Sequence, residues 1–518
     1  MTMPALASLP SPVHIASGFL IQVFKLKLAA LPVHVATHYA PWNYRRIDRV
    51  LCALVVSDLL VFIDPGEAVL LIDNLTVVTM DDRRRIVNDA AIAIDAQQIV
   101  AVDSSATLRK NFPDADLLDA EGKIAIPGLI DTHAHADQSL LRGLGDQMHW
   151  IPFIDDVIEP YLAKRDPADG VLATALSMME MIHAGTTCFV SPNVDPQDDY
   201  ESLTDAVGQL GMRAILGRFT MPADGADSTE FAQSTVADAV AVMQRWHETQ
   251  GGLVSLWFGL MVPRRSGDTD HPAFYKAVAD AAREMGVGIV YHFCSEIEDS
   301  DYIQDTYGVR PAEWSRDNHA LGPNVLLING CQVTPLEIEI LADTGTHLAH
   351  SPVANMKMAT GILPLTDVLA GGVNVSLGTD GALNNNSYDM FGEMKAACLL
   401  QNATQRSATA LTAETALEMA TIRGARAIGR EHELGSITPG KLADIVLIDM
   451  QRSNTCPVHD VVSNLVFACN SGNVHTVFVG GRKVMQAGRI LGMEESVLLD
   501  QAQERALHVR SQLGLSNE

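Results

Sequence analysis

The sequence predicts an α/β protein in which a TIM-like (β/α)8 barrel is accompanied by a small β-sandwich domain formed by both ends of the chain. The middle of the 518-residue sequence alternates short apolar stretches with helical patterns. Eight such units in succession favour a closed parallel barrel over an open doubly wound sheet. Strand-rich segments precede and follow this middle part, and we expect them to meet in one small sheet domain.

These elements set the predicted domain boundaries. The barrel is expected over residues 124–432, the composite β-sandwich over 67–123 and 433–518, and an N-terminal extension of unknown role over 1–66. Outside the barrel, strands are predicted at 69–79, 90–94, 98–102, 443–449 and 474–480. The predicted barrel strands are 124–131, 186–191, 212–219, 254–261, 287–293, 324–329, 346–350 and 373–379.

The composition is that of a globular protein with a buried core. Hydrophobic residues make up 47% of the chain, charged residues make up 19%, and the formal net charge is −27. Nucleic acid and anionic membrane surfaces are therefore not expected partners, because they carry the same sign of charge. The seven cysteines are scattered and include no CxxC pair, which favours a reduced protein over a disulfide framework.

The N-terminal extension contains apolar patches but no predicted membrane span. The patch that begins at Ser17 is soon interrupted by lysines, and the patch from Val50 to Ile63 contains Asp58. Both fall short of the ~20 apolar residues that a membrane-spanning helix needs. The start of the chain also lacks the basic region of a signal peptide. We therefore expect a cytoplasmic protein.

The strongest functional signal is the segment from Ile124 to His135, which reads as an apolar strand that ends in a His-x-His pair. Residues two apart on a strand point to the same side, so His133 and His135 can present two imidazoles to one point. His292 ends the fifth predicted strand and Asp380 follows the eighth. The carboxyl ends of barrel strands meet at one face, so these side chains predict a metal site there.

Three imidazoles and one carboxylate are expected to bind one divalent metal ion per chain and to leave one position open. Zinc is the expected metal, with iron, cobalt and manganese as alternatives that accept the same donors. A water at the open position becomes acidic enough to act as a nucleophile near neutral pH. Asp380 is also the expected general base, which takes the proton of this water and passes it to a leaving amine.

Seven motifs occur along the chain in the order and spacing of a known family. They are the segments 127–135, 140–143, 184–187, 349–357, 378–382, 420–426 and 435–446. Together they resemble the amidohydrolase superfamily, in the branch of cytosine, guanine and S-adenosylhomocysteine deaminases and the triazine hydrolases. The resemblance implies a metallo-barrel with a composite β-sandwich, hydrolysis of a C–N bond in a small-molecule substrate, and assembly into a homo-oligomer. It also places His133, His135, His292 and Asp380 at the metal-ligand positions of the family.

Three positions depart from the deaminase pattern. Ser295 stands where that branch usually has the Glu of a His-x-x-Glu motif, and Glu296 follows one residue later. Asn329 stands where the family usually has a His that orients the metal water, and an Asn amide can hydrogen-bond or weakly ligate but cannot titrate. Met261 stands where purine-type deaminases often place a substrate-binding His. At the end of the seventh strand, His350 is expected either to contact substrate or to make a structural hydrogen bond.

These departures predict hydrolysis of an acyclic C–N bond in an apolar amide, urea or carbamate. Deamination of an aromatic ring needs a proton delivered to a ring nitrogen, and the usual acid is missing. Met261, Ser295 and His350 are the candidate substrate contacts, and the departures resemble the phenylurea and molinate hydrolase side branch. One alternative is an aminohydrolase of a purine, pterin or triazine-like ring, in which a local bulge brings Glu296 into the site as the acid. A non-catalytic barrel scaffold is an alternative of another class, which the four intact ligand positions disfavour.

Overall fold

The strands form one parallel barrel and one mixed sheet in the computed structural model, which describes residues 55–56, 59–60, 69–221, 229–261 and 272–514. In chain order the strands are β1 (Val55–Val56), β2 (Leu59–Leu60), β3 (Leu70–Val78), β4 (Ile86–Asp95), β5 (Gln98–Ser104), β6 (Asp116–Asp119), β7 (Ile124–Pro127), β8 (Leu129–Asp131), β9 (Thr186–Val194), β10 (Arg213–Phe219), β11 (Val254–Leu260), β12 (Ile289–Phe293), β13 (Val325–Asn329), β14 (His347–His350), β15 (Val375–Leu377), β16 (Ile445–Ile448), β17 (Val474–Val479), β18 (Arg482–Gln486) and β19 (Arg489–Ile490).

Helices alternate with the strands through the middle of the chain. The α-helices are Ser105–Asn111, Trp150–Phe153, Glu159–Lys164, Pro167–His183, Tyr200–Leu210, Thr229–Trp246, Thr249–Gly252, Pro272–Met285, Ile297–Tyr307, Pro311–Asp317, Pro335–Thr344, Pro352–Met358, Leu365–Ala370, Met390–Gln405, Ala413–Met419, Ile422–Ala427, Val461–Phe467 and Glu495–Gln512. A π-helical turn spans Ile154–Ile158, and 3₁₀ turns span Ala136–Leu141 and Ser471–Asn473.

The barrel consists of β8 to β15, which are parallel and adjacent in chain order. Strands covered on both faces should be mostly apolar, and the five residues of β13, apolar except for Asn329, are all buried. Backbone hydrogen bonds close the ring between its first and last strands. Thr132 N–H donates to the Leu377 carbonyl (3.0 Å), and Asp380 N–H donates to the His133 carbonyl (2.8 Å). The predicted barrel is therefore confirmed, with strand bounds that differ from the prediction by a few residues.

A separate nine-stranded sheet combines strands that precede the barrel strands in sequence with strands that follow them. Its order is β19-β18-β17-β16-β7-β3-β4-β5, and β6 also pairs with β3. The pairing of β16 with β7 is antiparallel and joins the two parts of the chain, with Val446 opposite Ile126. A sheet built from both chain ends was predicted and is confirmed, whereas the division into domains at the bounds given above stays a prediction.

One predicted strand is wrong in its extent. The stretch 124–131 is not a single barrel strand, because β7 belongs to the end sheet and only β8 enters the barrel. The chain changes sheets at Gly128, where N–H donates to the Asp444 carbonyl of the end sheet (2.9 Å) and the next residue bonds to the Gly185 carbonyl (3.1 Å). A Cβ at position 128 would lie 2.1 Å from Thr187 Oγ1, so the close approach requires glycine.

Local sequence signals fix the helix ends that follow the strands. The helix Pro335–Thr344 begins after Thr334, whose side chain accepts the Glu337 N–H while the Glu337 side chain bonds back to the Thr334 N–H. Pro335 occupies the first turn, where its missing N–H costs nothing. The helix ends at Gly345, whose φ of 69° is the left-handed conformation that favours glycine.

The chain divides into two compact units, Met1–Gly66 and Glu67–Glu518. In the first unit the structure describes only the antiparallel pair of β1 and β2, so the predictions for the rest of residues 1–66 lie outside the described residues. None of the helices in the described part of the chain combines the length and hydropathy that crossing a bilayer requires.

We expect the second unit to be strongly destabilised when Arg213 is removed from its buried ion pair with Asp444. Arg213 on β10 donates to both Asp444 oxygens (2.9 and 3.0 Å), and both side chains are 4% exposed. Arg213→Met leaves a buried carboxylate without its cation, so we expect a loss of roughly 3–5 kcal/mol of unfolding free energy. Urea unfolding monitored by circular dichroism measures this loss.

The matched control is Arg283→Met, because Arg283 pairs with Asp280 at the surface with exposed fractions of 72% and 52%. We expect this change to cost less than about 1 kcal/mol. Equal midpoints for the two variants would contradict the role assigned to the buried pair.

Candidate metal centre

Three histidine side chains meet at the carboxyl end of the barrel. His133 and His135 follow β8, and His292 lies on β12. One ring nitrogen from each of the three lies within 4.8 Å of the others. His135 Nε2 lies 3.2 Å from His292 Nε2. The structure thus brings together imidazoles from strands that are far apart in sequence, as the strand-end argument predicted.

Asp380 completes this cluster from the loop after β15. Its Oδ1 lies 3.3 Å from His133 Nε2 and 3.6 Å from His135 Nε2. The residue has a φ of 65°, a left-handed conformation that a non-glycine residue adopts at some cost. The same hydrogen bond that closes the barrel, from Asp380 N–H to the His133 carbonyl, holds this backbone in place.

The donor set fits a divalent metal ion. His133 is fully buried, its Nδ1 has no hydrogen-bond partner among the described residues, and its Nε2 faces Asp380 Oδ1. Burial, followed by the neighbouring His133, lowers the pKa of His135 to about 4, so this imidazole is neutral at neutral pH. Neutral imidazole nitrogens and a carboxylate oxygen that converge on one point are the ligands that zinc and related ions take.

The carboxylate of Asp380 is ionised in this setting. Burial by itself raises the pKa of Asp380, but attraction to His133, His135 and His292 outweighs it, so the pKa lies well below its usual value. Oδ1 also accepts hydrogen bonds from Gly381 N–H (2.7 Å) and from Asn384 Nδ2 (3.0 Å). These bonds fix the orientation of the carboxylate beside the histidines.

A second carboxylate, Asp131, ties the two ligand-bearing loops together from behind. It is fully buried. Its Oδ1 accepts His133 N–H (3.2 Å) and Thr379 N–H (3.0 Å), and its Oδ2 accepts the Thr379 hydroxyl (2.5 Å). Burial raises the pKa of Asp131 to about 6, although the Thr379 hydrogen bonds oppose this rise. Asp131 therefore sets the relative position of the segments that carry His133 and Asp380.

The cluster opens into a cavity of about 420 Å³, a volume typical of small-molecule sites. His135 and His292 lie in its wall. Its apolar lining residues, called the apolar wall below, are Trp150, Phe153, Ile154, Ile158, Leu162, Phe219, Met221, Leu260 and Met261. Its polar lining residues, beside the two histidines, are Asp137, Gln138, Glu159, Asn193, Asp195, Ser295, Asp299 and Asn384. This lining suits a substrate that has both apolar surface and polar groups.

The predicted site residues divide between the cavity and the interior around it. Met261 and Ser295 line the cavity. Glu296, Asn329 and His350 are buried and are not among the described residues that line it. Both ring nitrogens of His350 lack a hydrogen-bond partner among the described residues, and burial lowers the pKa of this imidazole to about 3. The role of His350 as a substrate contact stays a prediction.

Asn329 contacts Ser295, which lines the cavity. Its Nδ2 donates to Ser295 Oγ (2.9 Å), and its Oδ1 accepts from Asn355 Nδ2 (3.0 Å). Both groups of the Asn329 amide are thus engaged, and its φ of 77° is a left-handed conformation that Asn tolerates better than most residues. Asn329 positions the Ser295 hydroxyl at the cavity wall.

The sequence arguments missed several residues of the site. Gln138 and Asn384 are polar residues that follow His135 by three positions and Asp380 by four. Both are close enough in sequence to the predicted ligands to have been candidates. The apolar wall from Trp150 to Leu162 could not have been assigned, because apolar residues on a helix are typical of any buried face.

A parallel barrel that gathers three imidazoles and a carboxylate at the carboxyl ends of its strands defines a metal-dependent hydrolase of the barrel class. The chain belongs to the amidohydrolase family, whose model matches residues 124–484. Hydrolysis at a non-peptide C–N bond with a metal-activated water is accordingly its reaction class.

Curated relatives cover most of the chain. A 5-methylthioadenosine/S-adenosylhomocysteine deaminase from Pelotomaculum thermopropionicum is 33% identical over 440 residues, which are 85% of this chain and 98% of that protein. A 5'-deoxyadenosine deaminase from Methanosarcina mazei is 31% identical over 438 residues, 84% of this chain and 97% of that protein.

Solved structures share the same fold. An adenosine deaminase from Xanthomonas campestris with bound zinc is 28% identical, has a TM-score of 0.79, and covers 86% of this chain and 100% of its own. An atrazine chlorohydrolase from Arthrobacter aurescens, complexed with zinc, is 24% identical with a TM-score of 0.74 over 84% of this chain and 100% of its own, a likeness of fold alone.

We expect Asp131→Asn to weaken metal binding without unfolding the protein. An amide has one accepting oxygen where the carboxylate of Asp131 accepts three hydrogen bonds, so the loops that carry His133 and Asp380 should lose their alignment. Loss of a residue that orients metal ligands lowers metal affinity roughly 10–100-fold. Competition for zinc with a chromophoric chelator measures this affinity.

Asp169→Asn is the matched control. Asp169 is also buried, at 1% exposure, but its carboxylate pairs with Arg505 on the outer helices. This change should lower stability and leave zinc affinity unaltered. A folded Asp131→Asn protein with the zinc affinity of the wild type would show that Asp131 does not position the site.

Proposed function

We propose that His133, His135, His292 and Asp380 hold one zinc ion per chain, and that the enzyme hydrolyses an acyclic C–N bond in an apolar amide, urea or carbamate. The observation that carries this proposal is the placement of Ser295. It lines the cavity beside His292, whereas the neighbouring carboxyl of Glu296 is buried away from the lining residues. The site thus presents a hydroxyl where a ring deaminase needs an acid.

The reaction requires only groups that adjoin the histidine cluster. A bound divalent ion would lower the pKa of a water, so that the water can lose a proton and attack a carbonyl carbon at neutral pH. Asp380 takes the proton of the attacking water as the C–O bond forms. When the C–N bond breaks, its electron pair passes to nitrogen, and Asp380 returns the proton to that nitrogen. An N-substituted carbamate plus water then gives an amine and the corresponding carbonic acid ester.

The surrounding residues bind and orient the substrate. Met261 and the apolar wall would contact the substrate body, because burying apolar surface is favourable and needs no directional partner. Ser295, with its hydroxyl held by Asn329, would hydrogen-bond a heteroatom of the substrate. A hydroxyl can donate or accept a hydrogen bond, but it does not replace a carboxyl group as the proton-donating acid.

A second candidate is an aminohydrolase of a purine-like ring. The relatives that cover most of the chain are deaminases of adenosine derivatives. Glu296 also offers a suitable acid, because burial, followed by repulsion from Glu298 and Asp299, raises the pKa of Glu296 to about 8. Its Oε1 is buried without a hydrogen-bond partner among the described residues, so a change of rotamer would not break a strong contact.

Localisation and assembly remain predictions. We propose a cytoplasmic enzyme, and the free thiols of Cys188, Cys294, Cys331, Cys398, Cys456 and Cys469 support a reducing compartment. A homo-oligomer and a small-molecule substrate are expected from the family resemblance.

Replacing Glu296 distinguishes the two candidates. With zinc-loaded enzyme and a panel of N-aryl ureas, carbamates, amides and heterocyclic amines, we expect release of an aniline or alkylamine. Because Glu296 lies outside the cavity, Glu296→Gln should change kcat/KM by less than about threefold. Product analysis by liquid chromatography and an ammonia assay provide the measurement.

Glu339→Gln, an exposed change on the helix Pro335–Thr344, is the control for nonspecific effects. Free ammonia with the ring retained, together with a roughly 10²–10⁴-fold loss in Glu296→Gln, would establish the ring deaminase in place of the proposed reaction.

A further inference from the structure

Tyr388 is a fully buried tyrosine whose hydroxyl bridges two segments that carry candidate metal ligands. The hydroxyl donates to the His135 carbonyl (2.7 Å) and accepts the Ala382 N–H (3.2 Å). A carbonyl can only accept and a backbone N–H can only donate, so the partners fix the direction of both bonds. One hydroxyl thus ties the backbone of His135 to the backbone two residues after Asp380.

This bridge complements the one that Asp131 forms. The segments 133–135 and 379–382 carry three of the four candidate ligands, and the Asp380 N–H bonds one segment to the other. Asp131 joins the first residues of the two segments, because its carboxylate accepts a backbone N–H from each. The hydroxyl of Tyr388 joins their last residues. The pair of segments is therefore held at both ends.

The backbone of Tyr388 is itself anchored outside the histidine cluster. Its N–H donates to Glu180 Oε1 (2.9 Å), on the helix Pro167–His183. Arg142 pairs with the Glu180 carboxylate and also donates to the Asn386 carbonyl, so it links this helix to the loop that precedes Tyr388. These contacts hold Tyr388 in place independently of the two segments that its hydroxyl bridges.

We propose that Tyr388 is a positioning residue of the metal centre, whose hydroxyl sets the separation of His135 from Asp380. The proposal rests on the proposed zinc site, in which these two residues are ligands. His135 Nε2 lies 3.6 Å from Asp380 Oδ1. Zinc takes its nitrogen and oxygen ligands at about 2 Å, so a shift of either segment weakens a metal–ligand bond. Tyr388 is not among the described residues that line the cavity, and it acts through the ligands and not on the substrate.

Tyr388→Phe removes the hydroxyl and keeps the ring. The His135 carbonyl retains its bond from the Gln138 N–H (3.1 Å), whereas the Ala382 N–H loses the hydroxyl that accepts it. We therefore expect a folded protein whose zinc affinity is roughly 10–100-fold lower, as for other residues that orient metal ligands. Competition for zinc with a chromophoric chelator measures this affinity.

Two further readouts separate positioning from a loss of stability. The visible absorption of the cobalt-substituted protein depends on the geometry of the ligands, and Tyr388→Phe should change its bands at saturating cobalt. At saturating zinc, kcat for a hydrolysed substrate should fall while KM changes less than about twofold, because Tyr388 does not line the cavity.

Tyr291→Phe is the matched control. Tyr291 is also fully buried, and its hydroxyl donates to the Ala320 carbonyl (2.8 Å), which belongs to neither bridged segment. This change should lower the melting temperature and leave the zinc affinity, the cobalt spectrum and kcat of the wild type. Thermal unfolding of the metal-free proteins measures the loss of stability in both variants.

The outcomes separate this proposal from the proposed function. Wild-type zinc affinity and a wild-type cobalt spectrum in Tyr388→Phe would overturn the role of Tyr388 and leave the zinc site in place. Equal losses of affinity in Tyr388→Phe and Tyr291→Phe would also overturn it, because the loss would then follow stability alone.

A wild-type protein that binds no zinc would contradict the proposed ligand set, and with it the role of Tyr388. The substrate class does not enter this test, because zinc affinity and the cobalt spectrum are measured without substrate.

Discussion

The closure of the barrel between its first and last strands is the constraint on which the site depends. His133 and His135 leave β8, whereas Asp380 leaves β15 almost 250 residues later, and Asp380 N–H bonds directly to the His133 carbonyl. In an open sheet these two strands would be opposite edges, and the side chains could not meet. Asp131 strengthens the same closure, because its carboxylate bonds to the backbone on both sides of the seam.

Burial gives the cluster its chemistry. Burial lowers the pKa of His135, which keeps its imidazole available as a neutral ligand. The carboxylate of Asp380, at the same depth, accepts hydrogen bonds from Gly381 N–H and from Asn384 Nδ2. A buried negative charge next to neutral nitrogen lone pairs is costly without a cation. A divalent ion would compensate the charge of the carboxylate and would accept the lone pairs of the imidazoles.

The fold and the four candidate ligands could be predicted because each has a local signal. Strand and helix periods alternate along the chain, His133, His135 and Asp380 each follow a strand, and His292 lies near the end of one. The switch of sheets at Gly128 could not be predicted, because it results from a close approach to Thr187 that only the folded chain contains.

The same limit applies to the rest of the site. The hydrogen bonds of Asn329 depend on Ser295 and Asn355, which follow other strands, so residue type alone does not assign its role. Glu296 is adjacent in sequence to Ser295, yet Ser295 lies in the cavity wall and Glu296 lies in the interior.

The most direct measurement of the central claim is a crystal structure of the zinc-loaded protein with anomalous diffraction recorded on both sides of the zinc edge. The account predicts one anomalous peak per chain, bound by a nitrogen from each of His133, His135 and His292 and by an oxygen of Asp380. Two peaks in the site, or a single ion bound without Asp380, would contradict it.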